Sequence, residues 1–269
     1  MNDAVVRRNM AVETKYNINI EVIEEKEPYS NLRTYITTND TSFDLILERR
    51  KYLASAALSG LLYDFNNYDI DYEADWWDGN CARDYEVAGK LFFMANDVSV
   101  SNLGGVRFFY FNKSMITQFN LEDPYELVES NEWILPKFLS MVEAVSWDNG
   151  DGVWDYQDTY GLISETGESN GNVMFLLVGC GFNLTEKDAD GKIVTNIFTE
   201  NAQNVLNTIY KTLVESPSVI TFGNAASSSP DAGSYPNTYD YGRALFAADH
   251  SLFVQSNMNC ASQFKDMTS

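Results

Sequence analysis

DAVVRRNMAVETKYNINIEVIEE, Asp3–Glu25, changes period at Tyr16. Upstream, Ala4, Val5, Val12 and Tyr16 are apolar, with Arg7, Arg8, Glu13 and Lys15 between them. That spacing predicts a helix with Asn2 or Asp3 as its cap. Downstream, Ile18, Ile20 and Val22 alternate with polar residues, which predicts a strand ended by Pro28. SNLRTYITTND (30–40) reads as a second helix and SFDLILE (42–48) as a short buried strand. A third helix covers 51–59 and stops at Gly60. Helix, strand, helix, strand, helix is the signature of an α/β layer with a largely parallel sheet.

Working outward, YEVAGKLFFMANDVSV (85–100) reads as a hairpin around a Gly-Lys turn. GVRFFYFNKSM (105–115) is a stronger strand, rich in Phe and Tyr. Asp123-Pro124 opens a helix, and Trp133 to Val145 is a longer one. TYGLIS (159–164) is a strand, whereas NVMFLLVGCGF (172–182) fits helix and strand equally. DADGK (188–192) is a tight turn. NAQNVLNTIYKTLVE (201–215) is a helix with its stripe at Val205, Leu206, Ile209 and Leu213. SSSPDAGSYPNTYDYG (227–242) reads as a loop, with RALFAAD (243–249) leaving it as a strand. The sequence opens on a helix where a parallel sheet wants a strand and stops at SQFKDMTS, so both ends read as truncated.

Composition narrows the function classes. A net charge of -21 repels phosphate backbones and anionic lipid heads, which sets nucleic acid and membrane surfaces aside as partners. The N-terminus lacks a signal-peptide core, and no apolar run reaches the length of a membrane span. The chain is thus cytoplasmic, or a piece of something exported. Cys81, Cys180 and Cys260 form no CxxC pair and read as three lone buried thiols. With His250 the single histidine, a multi-histidine metal site is unlikely.

SWDNGDGVWDYQDTYG (146–161) has the outline of a calcium loop. Gly152 at its sixth position puts Asn149, Asp151, the Val153 carbonyl, Asp155 and Asp158 at ligand positions. The first position is Trp147, which offers no side-chain oxygen, and Asp148 falls one residue late. The competing reading is an Asx-rich turn held by its own side-chain to backbone hydrogen bonds. Elsewhere, polar clusters fall at the expected carboxyl ends of strands, where open parallel sheets bind ligands. They are Glu48, Arg49 and Arg50 after FDLIL; Asn96, Asp97 and Ser99 after the hairpin; and Asp249, His250 and Ser251 after ALFAA. Trp76 and Trp77 are core anchors or stacking platforms for sugar rings. No GxSxG, GxGxxG, Walker loop or HExxH is present.

Taken in order, these stretches resemble family 1 of the extracellular solute-binding proteins, the substrate-capture lipoproteins of sugar-type ABC importers. DAVVRRNMAVETKYNINI is similar to the family's first helix and second strand, and FDLIL with GLLYDFNNY to its next βα unit. WWD, AGKLFFMANDVS and FFYFNKSM resemble the crossover into the second lobe. NGDGVWDYQDTYGL and YDYGRALFAAD resemble later elements of that lobe. The resemblance implies an α/β, two-lobe periplasmic-binding-protein-like fold of type II, incomplete at both ends. Its first lobe would be 1–107 and its second 108–269.

The resemblance also implies a non-catalytic protein that captures an oligosaccharide between hinged lobes. ABC permease subunits would be its partners, and a lipid anchor outside this sequence would hold the monomer at the cell surface. Carried over by position, the ligand residues would be Glu48, Arg49, Arg50, Asn96, Asp97, Ser99, Glu168, Asn170, Asp249, His250 and Ser251. Trp76, Trp77 and Tyr239 would supply aromatic faces, and the two arginines would suit an acidic saccharide. Calcium in the 146–161 loop would be weak and structural. The alternatives are a secreted glycan-active enzyme, a calcium-dependent glycan adhesin and a fragment without function.

Overall fold

The computed structural model describes residues 2–26, 28–98, 101–165 and 171–267. It divides the chain into two compact units, Met1–Ala95 and Asn96–Ser269. No helix among the described residues is long and apolar enough to cross a membrane.

The first unit is built on α1 (Asn2–Tyr16), α2 (Pro28–Thr37), α3 (Arg50–Leu58) and α4 (Gly79–Tyr85). Pro28 opens α2, because the first turn of a helix has no use for its missing N–H. Gly60 leaves α3 with φ 69°, a left-handed conformation that favours glycine. Leu32, Leu53, Ala56, Cys81 and Leu91 are buried, and Tyr29 stacks on Tyr52 at 5.3 Å. The 85–100 hairpin closes through Ala88 and Gly89, both at positive φ, with a single Val87–Lys90 bridge. Two positive-φ residues in succession are the mark of a two-residue hairpin turn. The turn is therefore Ala-Gly rather than Gly-Lys.

The two strands expected in this unit do not form. Residues 18–25 and 45–49 have no regular secondary structure and belong to no ladder. Val22 and Leu45 are each 80% exposed. Period-two apolar patterning prepares a segment for a sheet, but a strand also needs a neighbour for its N–H and C=O groups. Among the described residues, neither segment has one.

The second unit holds the main sheet, of order β1-β6-β2-β5. Its strands are β1 (Arg107–Phe111), β2 (Tyr160–Ser164), β5 (Val219–Thr221) and β6 (Ser251–Asn257). β2 runs parallel to β5 and to β6, while β1 is antiparallel to β6. The sheet is thus mixed. A short β3 (Thr185–Lys187) and β4 (Ile193–Thr195) form a separate hairpin around the DADG turn. In that turn the Asp188 carboxylate accepts the Asp190 and Lys192 N–H groups.

Helices cover both faces of the sheet. After α5 (Ser101–Gly104) and β1 come α6 (Lys113–Gln118), α7 (Pro124–Glu129) and α8 (Leu135–Ala144). Asn112 caps α6 and Asp123 caps α7, each accepting a first-turn N–H. One face of the sheet packs Leu162 and Phe253 against Phe138, Met141 and Val142 of α8. Phe109, Phe138 and Phe253 interlock there, with Phe109–Phe138 centroids 4.6 Å apart. The opposite face packs Ile163, Ile220 and Val254 against Phe222 and Ala225 of α11 (Phe222–Ser228). Tyr241, Leu245 and Phe246 of α12 (Thr238–Ala247) complete that cluster. The ambiguous apolar run is the helix α9 (Gly171–Gly179), which packs on α10 (Glu200–Tyr210) through Leu176, Leu177 and Ile209.

Two readings are corrected here. RALFAAD is not a strand: residues 243–247 are the last turns of α12, which Asn237 caps, and Ala248 is its C-cap. Burial at Tyr241, Gly242, Leu245 and Phe246 follows the helical period. Short apolar runs carry too little periodicity to separate the two structures. The three thiols are free, but only Cys81 is buried. Cys180 is exposed just beyond α9, and Cys260 is half-buried in the 3-10 turn Met258–Gln263.

Close packing leaves two glycines without room. A Cβ at Gly161 would lie 1.9 Å from the Val142 carbonyl oxygen of α8. At Gly242 it would lie 1.9 Å from Cδ1 of Phe222. Backbone cannot yield as a side chain can, so Gly161→Ala is expected to be the costlier, by more than the ~1–3 kcal/mol usual for overpacking. Gly242→Ala is expected to fall in that range and to be partly rescued by Phe222→Leu. A double-mutant cycle by urea unfolding reads the coupling. Additive costs at 222 and 242 would contradict the packing described.

Candidate functional site

The parallel strands β6, β2 and β5 end together at Asn257, Ser164 and Thr221, and antiparallel β1 begins beside them at Arg107. Arg107 registers with Asn257, and Phe109 with Gln255. Polar residues crowd this end although it is inside the protein. Ser164, Glu165, Gln255 and Ser256 are each at most 7% exposed. Arg107 Nη1 lies 2.9 Å from Glu165 Oε2. The Arg107 side chain is 30% exposed and that of Glu165 is 8% exposed, so the pair sits at the boundary of the core.

Three buried polar atoms here have no well-formed hydrogen bond among the described residues: Gln255 Nε2, Asn257 Oδ1 and Arg107 Nη1, the last in its ion pair only. Leaving such an atom unpaired costs roughly 1–3 kcal/mol. Folded proteins keep few of them, and they concentrate where something else completes the bonding. A guanidinium, a primary amide donor and an amide acceptor at one strand end can bond hydroxyls, carboxylates or amides of a small solute.

The clusters read from the sequence lie elsewhere. In the first unit, Glu48 accepts the Arg49 N–H, and Arg49 stands at the N-cap of α3 without a side-chain cap. Arg50 donates from Nη1 to the Tyr85 hydroxyl at 2.8 Å, which raises the pKa of the guanidinium further. Tyr85 packs on Phe93 at 4.9 Å, and burial pushes its phenol up. Asp78 caps α4 and accepts from the Cys81 thiol, which holds the Asp78 carboxyl below its ordinary range. Trp77 is half-buried against the edge of Tyr72, and Trp76 is 60% exposed. Arg50 and Tyr85 are thus brought together, and the two tryptophans have different surroundings.

In the second unit, Asn96 accepts the Val98 N–H, and Asp97 is exposed. Ser99, Glu168 and Asn170 lie outside the described residues. Tyr239 packs edge-on against Phe222 at 5.5 Å. Asp249, His250 and Ser251 do not follow a strand. They link α12 to the amino end of β6, away from Arg107 and Gln255. Asp249 has φ 63° and accepts from the Asn112 amide. Ser251 is fully buried and donates to the Phe253 carbonyl. His250 Nδ1 lies 3.2 Å from the Asp158 carbonyl oxygen, so the histidine joins the 146–161 loop.

That loop is closed from within. Asp148 accepts the Gly150 and Gly152 N–H groups, Asn149 that of Asp151, and Asp151 that of Val153. Asp155 accepts the Gln157 N–H. Asp158, 1% exposed, accepts from Asn149 with one oxygen and from Asp155 with the other. Trp147 and Thr159 form the bridge at its base. The Tyr160 hydroxyl donates to the Asp155 carbonyl, and burial with the neighbouring aspartates raises its pKa strongly. No group of three or more His, Cys, Asp or Glu side chains converges to hold a metal ion among the described residues. As arranged, the side-chain oxygens of Asn149, Asp151, Asp155 and Asp158 accept from the loop's own N–H groups, as in an Asx-rich turn.

Sequence reasoning missed Arg107, Glu165 and Gln255. Arg107 and Gln255 lie within strands, and strand pairing alone brings all three together. The one available signal was Gln255 inside the apolar run LFVQ, a long polar side chain where a core strand should be apolar.

No protein-family model matches the chain, and no curated protein matches it. Solved structures do match. One is an ABC substrate-binding protein of Listeria monocytogenes in complex with cycloalternan, with a TM-score of 0.55 and 14% identity, covering 99% of this chain and 61% of that one. Another is UspC of M. tuberculosis, with a TM-score of 0.55 and 16% identity over 98% of this chain and 63% of that one. A third is the maltotriose-binding protein of Thermus thermophilus bound with maltotriose, with a TM-score of 0.51 and 15% identity over 98% of this chain and 60% of that one. The chain spans about three fifths of the length of these structures. At such identities the likeness is one of fold: the chain has the mixed α/β, periplasmic-binding-protein-like fold of these solute-binding proteins.

Proposed function

We propose that the chain belongs to a solute-binding protein that captures a carbohydrate for an ABC importer and does not alter it. The observation that carries this reading is the pair of buried amide atoms on Gln255 and Asn257 that have no hydrogen bond among the described residues, beside the Arg107–Glu165 ion pair at the carboxyl end of the parallel strands. Sugars are rich in hydroxyls that both donate and accept, and such a set would complete its bonding on them. Two of the similar structures hold oligosaccharides, cycloalternan and maltotriose, which supports the same ligand class. Permease subunits would be the partners, at the outer face of the cell membrane.

The two buried carboxylates of the second unit do not form a hydrolytic pair. Among the described residues the buried carboxylates are Asp158 and Glu165, before and after β2. Five strand residues hold them on the order of 15 Å apart. A hydrolytic pair must lie within roughly 5–9.5 Å. We also read the 146–161 loop as a brace that keeps its shape without calcium.

Gln255→Leu separates function from stability. It removes a buried unpaired amide, so it is expected to stabilise the protein by ~1 kcal/mol in urea unfolding. In calorimetry against a panel of neutral and acidic oligosaccharides, the same change is expected to weaken binding at least tenfold. A destabilised Gln255→Leu protein would mean that the amide already has a partner within the chain. No binding of any saccharide by the unsubstituted protein would reject the ligand class. Calcium and EDTA are each expected to leave both the unfolding midpoint and saccharide binding unchanged; a midpoint that rises with calcium and falls with EDTA would restore the ion site.

A further inference from the structure

The second unit has a cavity of about 420 Å³ at the amino end of its parallel strands. The 146–161 loop, the segment before α12, and α12 itself line it, and it opens widely to solvent, with Ala248 exposed. Its walls are Tyr156, Gln157, Asp231, Tyr235, Tyr241 and His250. Its floor is one face of α12, where Ala244 and Ala248 are one turn apart and leave the space open. β6 spans seven residues between this cavity and Asn257, so the two ends lie about 20 Å apart.

We propose that this cavity is a second ligand site, separate from the carboxyl-end site, and that it takes a neutral sugar ring. Its volume falls within the roughly 300–1,000 Å³ of small-ligand pockets. No lysine or arginine lines it, and Asp231 does, which disfavours anions. An organic cation would need aromatic faces and acceptors only. Here the Gln157 amide and the tyrosine hydroxyls also donate, and a polyol uses both kinds of group.

The histidine is set for the same task. The Asp158 carbonyl can only accept, so His250 Nδ1 carries its hydrogen and Nε2 is the nitrogen left for a ligand. Tyr235 and Tyr241 meet at 63° with centroids 5.2 Å apart, forming an aromatic corner. Tyr241 is 4% exposed and fixed in the core, whereas Tyr235 is 39% exposed at the rim. The Tyr156 N–H is anchored on Ser228, and the Asp158 carboxylate fixes the loop behind it. The walls are therefore positioned before any ligand arrives, which lowers the cost of binding.

His250 is the only histidine of the chain, so its imidazole gives one unambiguous NMR reporter inside the cavity. Titration of the full chain with methyl α-D-glucopyranoside is expected to move that resonance saturably in the millimolar range. Ala248→Phe fills the floor from an exposed position and is expected to weaken the response at least tenfold. Tyr235→Ala, at the rim, is expected to weaken it with circular dichroism unchanged. Gln255→Leu at the other end of β6 is expected to leave it intact. The proposal is overturned by the absence of a saturable shift, by a shift that survives both Ala248→Phe and Tyr235→Ala, or by one lost in Gln255→Leu. A response to tetramethylammonium but not to the glucoside would overturn the ligand class. A shift lost in Gln255→Leu would place the sugar at the carboxyl end instead; the other outcomes do not bear on that reading, which is tested by oligosaccharide affinity in Gln255→Leu.

Discussion

The second unit depends on one strand buried on both faces. β6 pairs with β1 on one side and β2 on the other, and helices cover it above and below. Leu252, Phe253 and Val254 are fully buried and join the two core clusters. Such a position leaves no solvent face on which to place polar side chains, so any polar residue on β6 must be bonded or must cost stability. Ser251 meets the requirement through the Phe253 carbonyl. Gln255 and Asn257, at the other end, retain unpaired atoms among the described residues. The apolar middle of the strand secures the sheet, and its polar end faces the rim where ligands of parallel sheets sit.

Burial of this kind also explains what could be read beforehand. A strand wetted on one face alternates, and one covered on both does not. SLFVQSN shows no alternation and carries no turn signal of its own, so the central strand went unrecognised while ALFAA, a helical segment just upstream, took its place. Elements with local chemistry were legible. Asp123-Pro124 opens α7 and DADG turns the β3–β4 hairpin, because cap and turn residues act on their immediate neighbours. YNINIEVIEE and SFDLILE teach the opposite lesson. Their patterns are those of strands, but pattern prescribes a face and not a partner, and neither segment pairs among the described residues.

The candidate site was legible only in part for the same reason. Arg50 was found as a charged residue beside a helix start, but Tyr85, its hydrogen-bond partner, is far along the chain. His250 and Asp158 were each singled out without any sign that they touch. The fold brings them together because parallel β2 and β6 start side by side, with the Tyr160 N–H on the His250 carbonyl. A loop reading based on ligand positions counted oxygens, and oxygens were present. Each Asx side chain turns back on an N–H two to four positions away in the loop, and Asp158 also on that of Asn149, nine positions back.

The two ends of the sheet thus differ in how far their polar groups are satisfied. At the amino end the aspartates of the 146–161 loop accept the loop's own N–H groups and hold its shape. At the carboxyl end Glu165 is engaged by Arg107, so its charge is already countered before a solute arrives. Hydrolysis needs two carboxyls that share one bond of the substrate. Here the buried carboxyls are separated by the length of β2 and each is committed to a protein partner. What stays without a partner among the described residues is amide, on Gln255 and Asn257, a group that recognises a solute by hydrogen bonds.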